Sequence, residues 1–193
     1  MPEEEAEETP PPAKETLFAR AKQASRNPAN RFVVIFILCL AALNVLYPKF
    51  SLRYPEAVEW MSQITAILGS MSLDLFSDEV QQKHKMIIYG GFAVEIIEEC
   101  TGLYEILIYA AAVFAFPTTL VKKGIGILLG APILYATNVL RIVFLVWIGR
   151  YYPEAFDFMH LYFWQATLIL MITSVWMLWI FLVVKREIPD RSA

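Results

Sequence analysis

The chain has 193 residues, of which 58% are hydrophobic and 18% charged, and its formal net charge is −3. The hydrophobic share exceeds the roughly 45–50% of ordinary soluble domains, and the mean hydropathy of +0.50 argues against a soluble globular fold. Most of the acids sit in one tail, so the net charge says little about the rest, and no nucleic-acid partner is expected.

Residues 1–16 carry six glutamates and the run Pro10-Pro11-Pro12. Such a segment has almost nothing to bury and is expected to be disordered. Arg20, Lys22, Arg26 and Arg31 then form a basic approach, and residues 1–30 are assigned as a cytoplasmic tail. The first apolar run is Phe32–Tyr47, near the lower limit of ~17–25 residues for a span. The polar stretch before it is too long for a signal peptide and no small-x-small site follows, so it reads as an uncleaved anchor.

From Pro55 to Phe76, Ala57, Trp60, Met61, Ile64, Ile67, Leu68 and Met71 follow helical spacing, with Glu56, Glu59, Ser62, Gln63 and Ser70 between them. That pattern predicts an amphipathic helix on the membrane surface. Two β-type runs around Gly90-Gly91 predict a short hairpin. Leu103–Leu120, Gly124–Ile148 and Tyr162–Val184 are further apolar runs, the second with Pro132, where a kink is expected. The predicted fold class is thus an all-α membrane protein: four transmembrane helices (about 32–47, 103–120, 124–148 and 162–184), an extracytoplasmic amphipathic helix and a short β-hairpin. The membrane domain covers residues 31–186, and 187–193 form a second cytoplasmic tail.

Basic residues orient the spans. With four spans, Arg20 to Arg31, Lys122 with Lys123, and Lys185 with Arg186 and Arg191 all fall on the cytoplasmic side. Residues 48–102 and 149–161 then lie outside. Cys100 stands at the outer mouth of the second span, His160 at that of the fourth, and Arg141 roughly 10 Å inside the third.

A charge inside a span costs ~2.5–3.5 kcal/mol even on the lenient insertion scale. Arg141 either snorkels to the headgroups or serves a site, and Asn138 on the same helical face favours the site. Cys100 alone would be a small buried filler, but it precedes a helix, where the dipole and a nearby Arg favour a thiolate. Glu98 and Glu99 oppose this unless they point elsewhere or serve the substrate. His160 is either an interfacial residue or a general base and acid beside the thiol. His84, between Lys83 and Lys85, reads as solvated. Cys39 lies mid-span, too different in depth from Cys100 for a disulfide. No HExxH or CxxC spacing supports a metal site, and no cofactor is expected.

Three elements occur in order: Glu99-Cys100-Thr101-Gly102-Leu103 at a span start, Asn138-Val139-Leu140-Arg141-Ile142 inside the next, and His160 before the last. Together they resemble the exosortase/archaeosortase family over roughly residues 32–184. The resemblance implies a membrane cysteine peptidase/transpeptidase, convergent with sortase, acting on C-terminal sorting signals of the PEP-CTERM type. It implies Cys100 as nucleophile, Arg141 as stabiliser of the thiolate or oxyanion and His160 as base, with Asn138 and Glu99 in support. His160, where archaeal relatives tend to carry a second Arg, points to the bacterial branch and its inner membrane. The compact chain is similar to the exosortase H subtype. The implied partners are the sorting-signal helix of an exported protein, the lipid bilayer and an unknown acceptor. The competing reading is a non-catalytic membrane subunit of an export or polysaccharide-assembly complex. A small transporter fits less well, because the polar intramembrane residues sit near one face.

Overall fold

A computed structural model describes residues 28–185. The acidic tail, the basic residues Arg20, Lys22 and Arg26, and the C-terminal segment from Arg186 lie outside the described residues.

Helix α1 is Pro28–Arg53 and α2 is Pro55–Asp74. Strands β1 (Val80–Lys83), β2 (Met86–Tyr89) and β3 (Phe92–Glu95) follow, then a 3-10 turn at Glu98–Cys100. Helix α3 is Leu103–Ala115 and α4 is Leu120–Tyr151. The last helical stretch, α5, runs over Pro153–Val184. Three of these, α1, α4 and α5, are long and apolar enough to cross a membrane. Their outer faces carry Val34, Leu38, Leu128, Leu170 and Leu182 on the surface, which is what lipid as solvent requires and water does not tolerate.

The second expected span is shorter than predicted. The α3 helix has 13 residues, about 20 Å at 1.5 Å per residue, against a hydrocarbon core of about 30 Å. The cause is Pro117. A residue before proline is pushed out of the helical region, and Phe116 ends α3 with ψ 134°. The chain turns at once into α4. Pro132, by contrast, lies within an uninterrupted α4.

The helices close on one another through small residues. A Cβ on Gly126 would lie 2.6 Å from Trp179 Nε1, and one on Gly130 would lie 2.2 Å from the Tyr109 hydroxyl oxygen. These two glycines, four apart on α4, admit α5 and α3 to the backbone in the small-xxx-small manner. Tyr109 then donates to the Gly126 carbonyl at 2.9 Å and Trp179 Nε1 to the Lys122 carbonyl at 3.0 Å. Tyr109, Val113, Leu134, Val175, Trp179 and Ile180 form the apolar core around them.

Arg31, Lys122, Lys123 and Lys185 lie at that end of the bundle. Lys122 Nζ donates to the Val184 carbonyl at 3.4 Å, beside Lys185. Arg31 and Lys123 border a common cavity with the end of α3.

The opposite end carries α2 and the sheet, an antiparallel β1-β2-β3 meander. The Gly90-Gly91 hairpin is present, with Tyr89 opposite Phe92, but β1 adds a strand that Val80-Gln81-Gln82-Lys83 does not announce by any alternation. Helix α2 packs on the protein mainly by its small residues. Ser62, Thr65, Ala66, Gly69, Ser70 and Leu73 are buried, whereas Trp60, Ile67, Leu68 and Met71 are exposed. Small side chains allow close backbone approach, and Ser70 returns its hydroxyl to the helix, donating to Ile67 O at 2.9 Å. Thr65, which donates to Met61 O, also meets the Tyr135 hydroxyl at 3.1 Å. A second apolar core joins Ala66, Leu73, Ile87, Tyr89, Ile96, Ile142 and Val146.

Candidate active site

Cys100 ends the 3-10 turn that follows β3. Thr101 Oγ1 donates to Glu98 O at 2.8 Å, closing that turn from the side. Gly102 then adopts φ +74°, a left-handed conformation that costs an L side chain roughly 1–2 kcal/mol. It also sits under Asn138: a Cβ there would lie 2.9 Å from the side-chain Cγ and Nδ2 of that residue. Asn138 is 1% exposed, and its Nδ2 donates to the Cys100 carbonyl at 2.8 Å. Helix α4 therefore grips the cysteine turn directly.

One turn further along α4, Arg141 is 8% exposed. A buried charge is expected to be paired and fully hydrogen-bonded, yet Arg141 Nε has no partner. Asn138 Oδ1 and Glu105 Oε2 are likewise buried without one. Three of the five such atoms among the described residues thus belong to groups beside the cysteine turn, the other two being the indole nitrogens of Trp164 and Trp176.

His160 lies in a π-helical turn, Met159–Phe163, within α5. A widened turn shifts the helical register, and such turns are frequent at functional sites. The imidazole stacks on Phe156, with ring centroids 5.7 Å apart and planes at 12°.

Cys100, Arg141 and His160 line one cleft of roughly 730 Å³, together with Asn44 and Ser51 of α1 and Glu98, Glu99 and Glu105. The same three also line a second cavity of roughly 280 Å³, walled by β3 and by Ile142, Leu145 and Phe156. The sequence-expected residues thus come together at the wall between two cavities. Glu98 is held off, because Ser51 Oγ donates to its carboxylate at 2.6 Å. Glu99 is exposed on the cleft.

The thiol differs from expectation. Burial pushes Cys100 above its ordinary pKa, and this outweighs the rest. Arg141 and the backbone hydrogen bond at Ile97 pull it down, whereas Glu99 and Glu105 push it up. The helix dipole is also remote, since α3 begins only beyond Gly102. His84 is exposed, as read from sequence, but its Nε2 meets Glu59 at 2.8 Å.

Sequence reasoning missed Ser51 and gave Gly102 no role beyond its place in the motif. Both matter only through contacts with distant segments, although a glycine between Thr101 and a helix start was a visible signal. Among the described residues, no group of three or more His, Cys, Asp or Glu is placed to hold a metal.

A family model described as transmembrane exosortase matches residues 29–182. The chain belongs to the transmembrane exosortase family. Neither a curated protein nor a solved structure matches it. The match spans α1 to α5, so the cysteine turn, α4 and the π turn all lie within the exosortase region. Family and long apolar helices together make this exosortase-family chain a multi-pass membrane protein.

Proposed function

We propose that this protein is a membrane-embedded cysteine peptidase/transpeptidase that cleaves C-terminal sorting signals of exported proteins and passes them to an acceptor. The observation that carries the reading is Arg141, buried with Nε unpaired, on the cleft that also holds Cys100 and His160. A site built to receive negative charge from a reaction has such a donor waiting.

In the proposed reaction His160 takes the Cys100 proton and the thiolate attacks the scissile carbonyl carbon. Arg141 supports the oxyanion, a contribution typically worth ~2.7–4 kcal/mol. The C–N bond then breaks, His160 returns the proton to the leaving amine, and a thioester remains on Cys100. Water or an acceptor nucleophile attacks that thioester and frees the thiol. A raised thiol pKa makes the base necessary, since little thiolate exists at neutral pH without it.

In the proposed topology α1, α4 and α5 span and α3 completes a fourth crossing together with residues 116–119, which extended add up to about 13 Å, with both termini cytoplasmic in a bacterial inner membrane. Arg31, Lys122, Lys123 and Lys185 at one end of the bundle, flanked in the sequence by Arg20, Lys22, Arg26, Arg186 and Arg191, support this orientation by outnumbering Lys49, Arg53, Lys83, Lys85 and Arg150 at the other. Arg141 lies 21 residues beyond Leu120, about 32 Å along α4, close to one hydrocarbon thickness. The cleft then opens near the outer headgroups, where a sorting-signal helix would present its motif. The exposed apolar residues of α2 rest on the same interface.

Replacing Cys100 with Ala or Ser in the native host, and following exported proteins by gel mobility, tests the reading. Loss of processing is expected. Unchanged processing, with Arg141→Gln instead dissociating a membrane complex, would make the chain a non-catalytic subunit.

A further inference from the structure

The smaller cavity has an unusual wall. Six consecutive residues, Phe92 to Ile97, all line it. Side chains of an extended chain alternate between faces, so six in a row reach one cavity only along the strand's backbone edge. That edge is open, because β3 is the outermost strand of the sheet.

The pairing identifies the free groups. Tyr89 and Phe92 close a two-residue hairpin, with Ile87 opposite Val94. The Ile96 N–H donates to Lys85 O at 2.8 Å, continuing the bonded series. In an antiparallel ladder bonded and non-bonded pairs alternate. Ala93 and Glu95 are thus in non-bonded pairs, and their N–H and C=O groups point away from β2, along the cavity. From Glu95 the chain leads directly to Cys100.

We propose that the open edge of β3 binds the target's segment upstream of the scissile bond as an added, parallel fourth strand. This rests on the peptidase reading above and supplies its mode of substrate recognition. Main-chain hydrogen bonds to Ala93 and Glu95 hold the segment, and alternate side chains enter the pocket of Ile142, Leu145 and Phe156. The scissile carbonyl then arrives at the boundary where Cys100, Arg141 and His160 line both cavities. The downstream segment continues into the larger cleft beside α1. The parallel sense follows from the two ends: β3 starts where Phe92 meets the last turns of α4, a Cβ on Gly149 falling 2.0 Å from its ring. It finishes beside Cys100, nearer the bilayer that holds the target's C-terminal helix.

Proline offers a matched pair of tests, because it removes one N–H and is tolerated where that N–H faces off the sheet. Ala93→Pro removes a donor on the β3 edge, and Gln82→Pro removes its counterpart on the far edge of β1. The readout is the exported protein whose gel mobility depends on Cys100. Ala93→Pro is expected to slow its processing about 3- to 10-fold, the worth of one such bond, and Gln82→Pro to leave it unchanged. A photo-crosslinker at position 93 in the Cys100→Ala protein is expected to capture that same exported protein, and one at position 82 is not. Normal processing by Ala93→Pro, equal impairment by both prolines, or no adduct from position 93 overturns the inference alone. The crosslink decides the matter even if Ala93→Pro folds poorly. If Cys100→Ala leaves every exported protein processed as before, the peptidase reading falls, and this inference with it.

Discussion

Gly102→Ala perturbs the cysteine turn by two separable routes. The added methyl at φ +74° carries about 1–2 kcal/mol of backbone strain. It also meets Asn138 Cγ and Nδ2 at 2.9 Å, so that side chain must move. Its amide then releases the Cys100 carbonyl, held at 2.8 Å in a buried setting, at about 1–3 kcal/mol for a group left unsatisfied. The total is about 2–5 kcal/mol, and Asn138→Ala alone should cost only the hydrogen-bond part. Because both variants lose the same bond, the double variant should fall short of the sum of the singles by about 1–3 kcal/mol. Thermal or denaturant unfolding in detergent measures all three. Processing should fall steeply in each, since a shift of the nucleophile by about 1 Å can cost 10²-fold. Strict additivity, or normal processing by Gly102→Ala, would refute the idea that α4 positions Cys100 through this contact.

Other outcomes follow from the same geometry. Alkylation of Cys100 by a small thiol reagent should rise with pH through a midpoint above that of an ordinary thiol. Arg141→Gln should move that midpoint further up and Glu99→Gln down, as the signs of those charges require. Gly130→Leu and Gly126→Leu should each destabilise the bundle by about 1–3 kcal/mol or more through overpacking, read as a lower melting temperature. Gly124→Ala, with nothing within 4 Å of the new methyl, should be neutral or stabilise by roughly 0.5–1 kcal/mol through helix propensity. Tyr109→Phe, which loses the bond to Gly126 O, should cost about 0.5–1.5 kcal/mol.

Run length and charge made much of the fold legible. The apolar stretches around α1, α4 and α5 are long and nearly free of charges, Arg141 in α4 being the exception, and burial in lipid favours both. The end of α3 was also written in the chain, as Pro117, but the apolar run continues past it and hydropathy alone hides the break. Strand β1 has a single apolar residue in four, so its pairing depends on β2 and not on its own pattern. In α2 the helical period was clear, yet the packing face was not. The face that packs on the protein is built of small residues, Ser62, Ala66, Gly69 and Ser70 among them, which let backbones approach closely. The same rule explains why Gly126 and Gly130 carry the bundle although nothing in their local pattern marks α3 and α5 as the visitors.

The candidate site was legible where a residue was costly in place. Arg141 within an apolar run demanded a purpose, and Asn138 one turn away shared its face. Cys100 and His160 were reached by placing span mouths on one side. The raised thiol was not legible, because burial of the turn by α1, α4 and α5 is a tertiary fact. Nor was the double cavity, which depends on the sheet edge meeting α4 and α5.

The account stands or falls on a thioester at Cys100. Incubating the membrane-inserted protein with its exported target, quenching in acid and mapping adducts by mass spectrometry measures this directly. A hydroxylamine-labile acyl group on Cys100, matched by release of the target's C-terminal segment, is the expected result. Cleaved target with Cys100 never acylated, or an adduct on Cys39 instead, would contradict it.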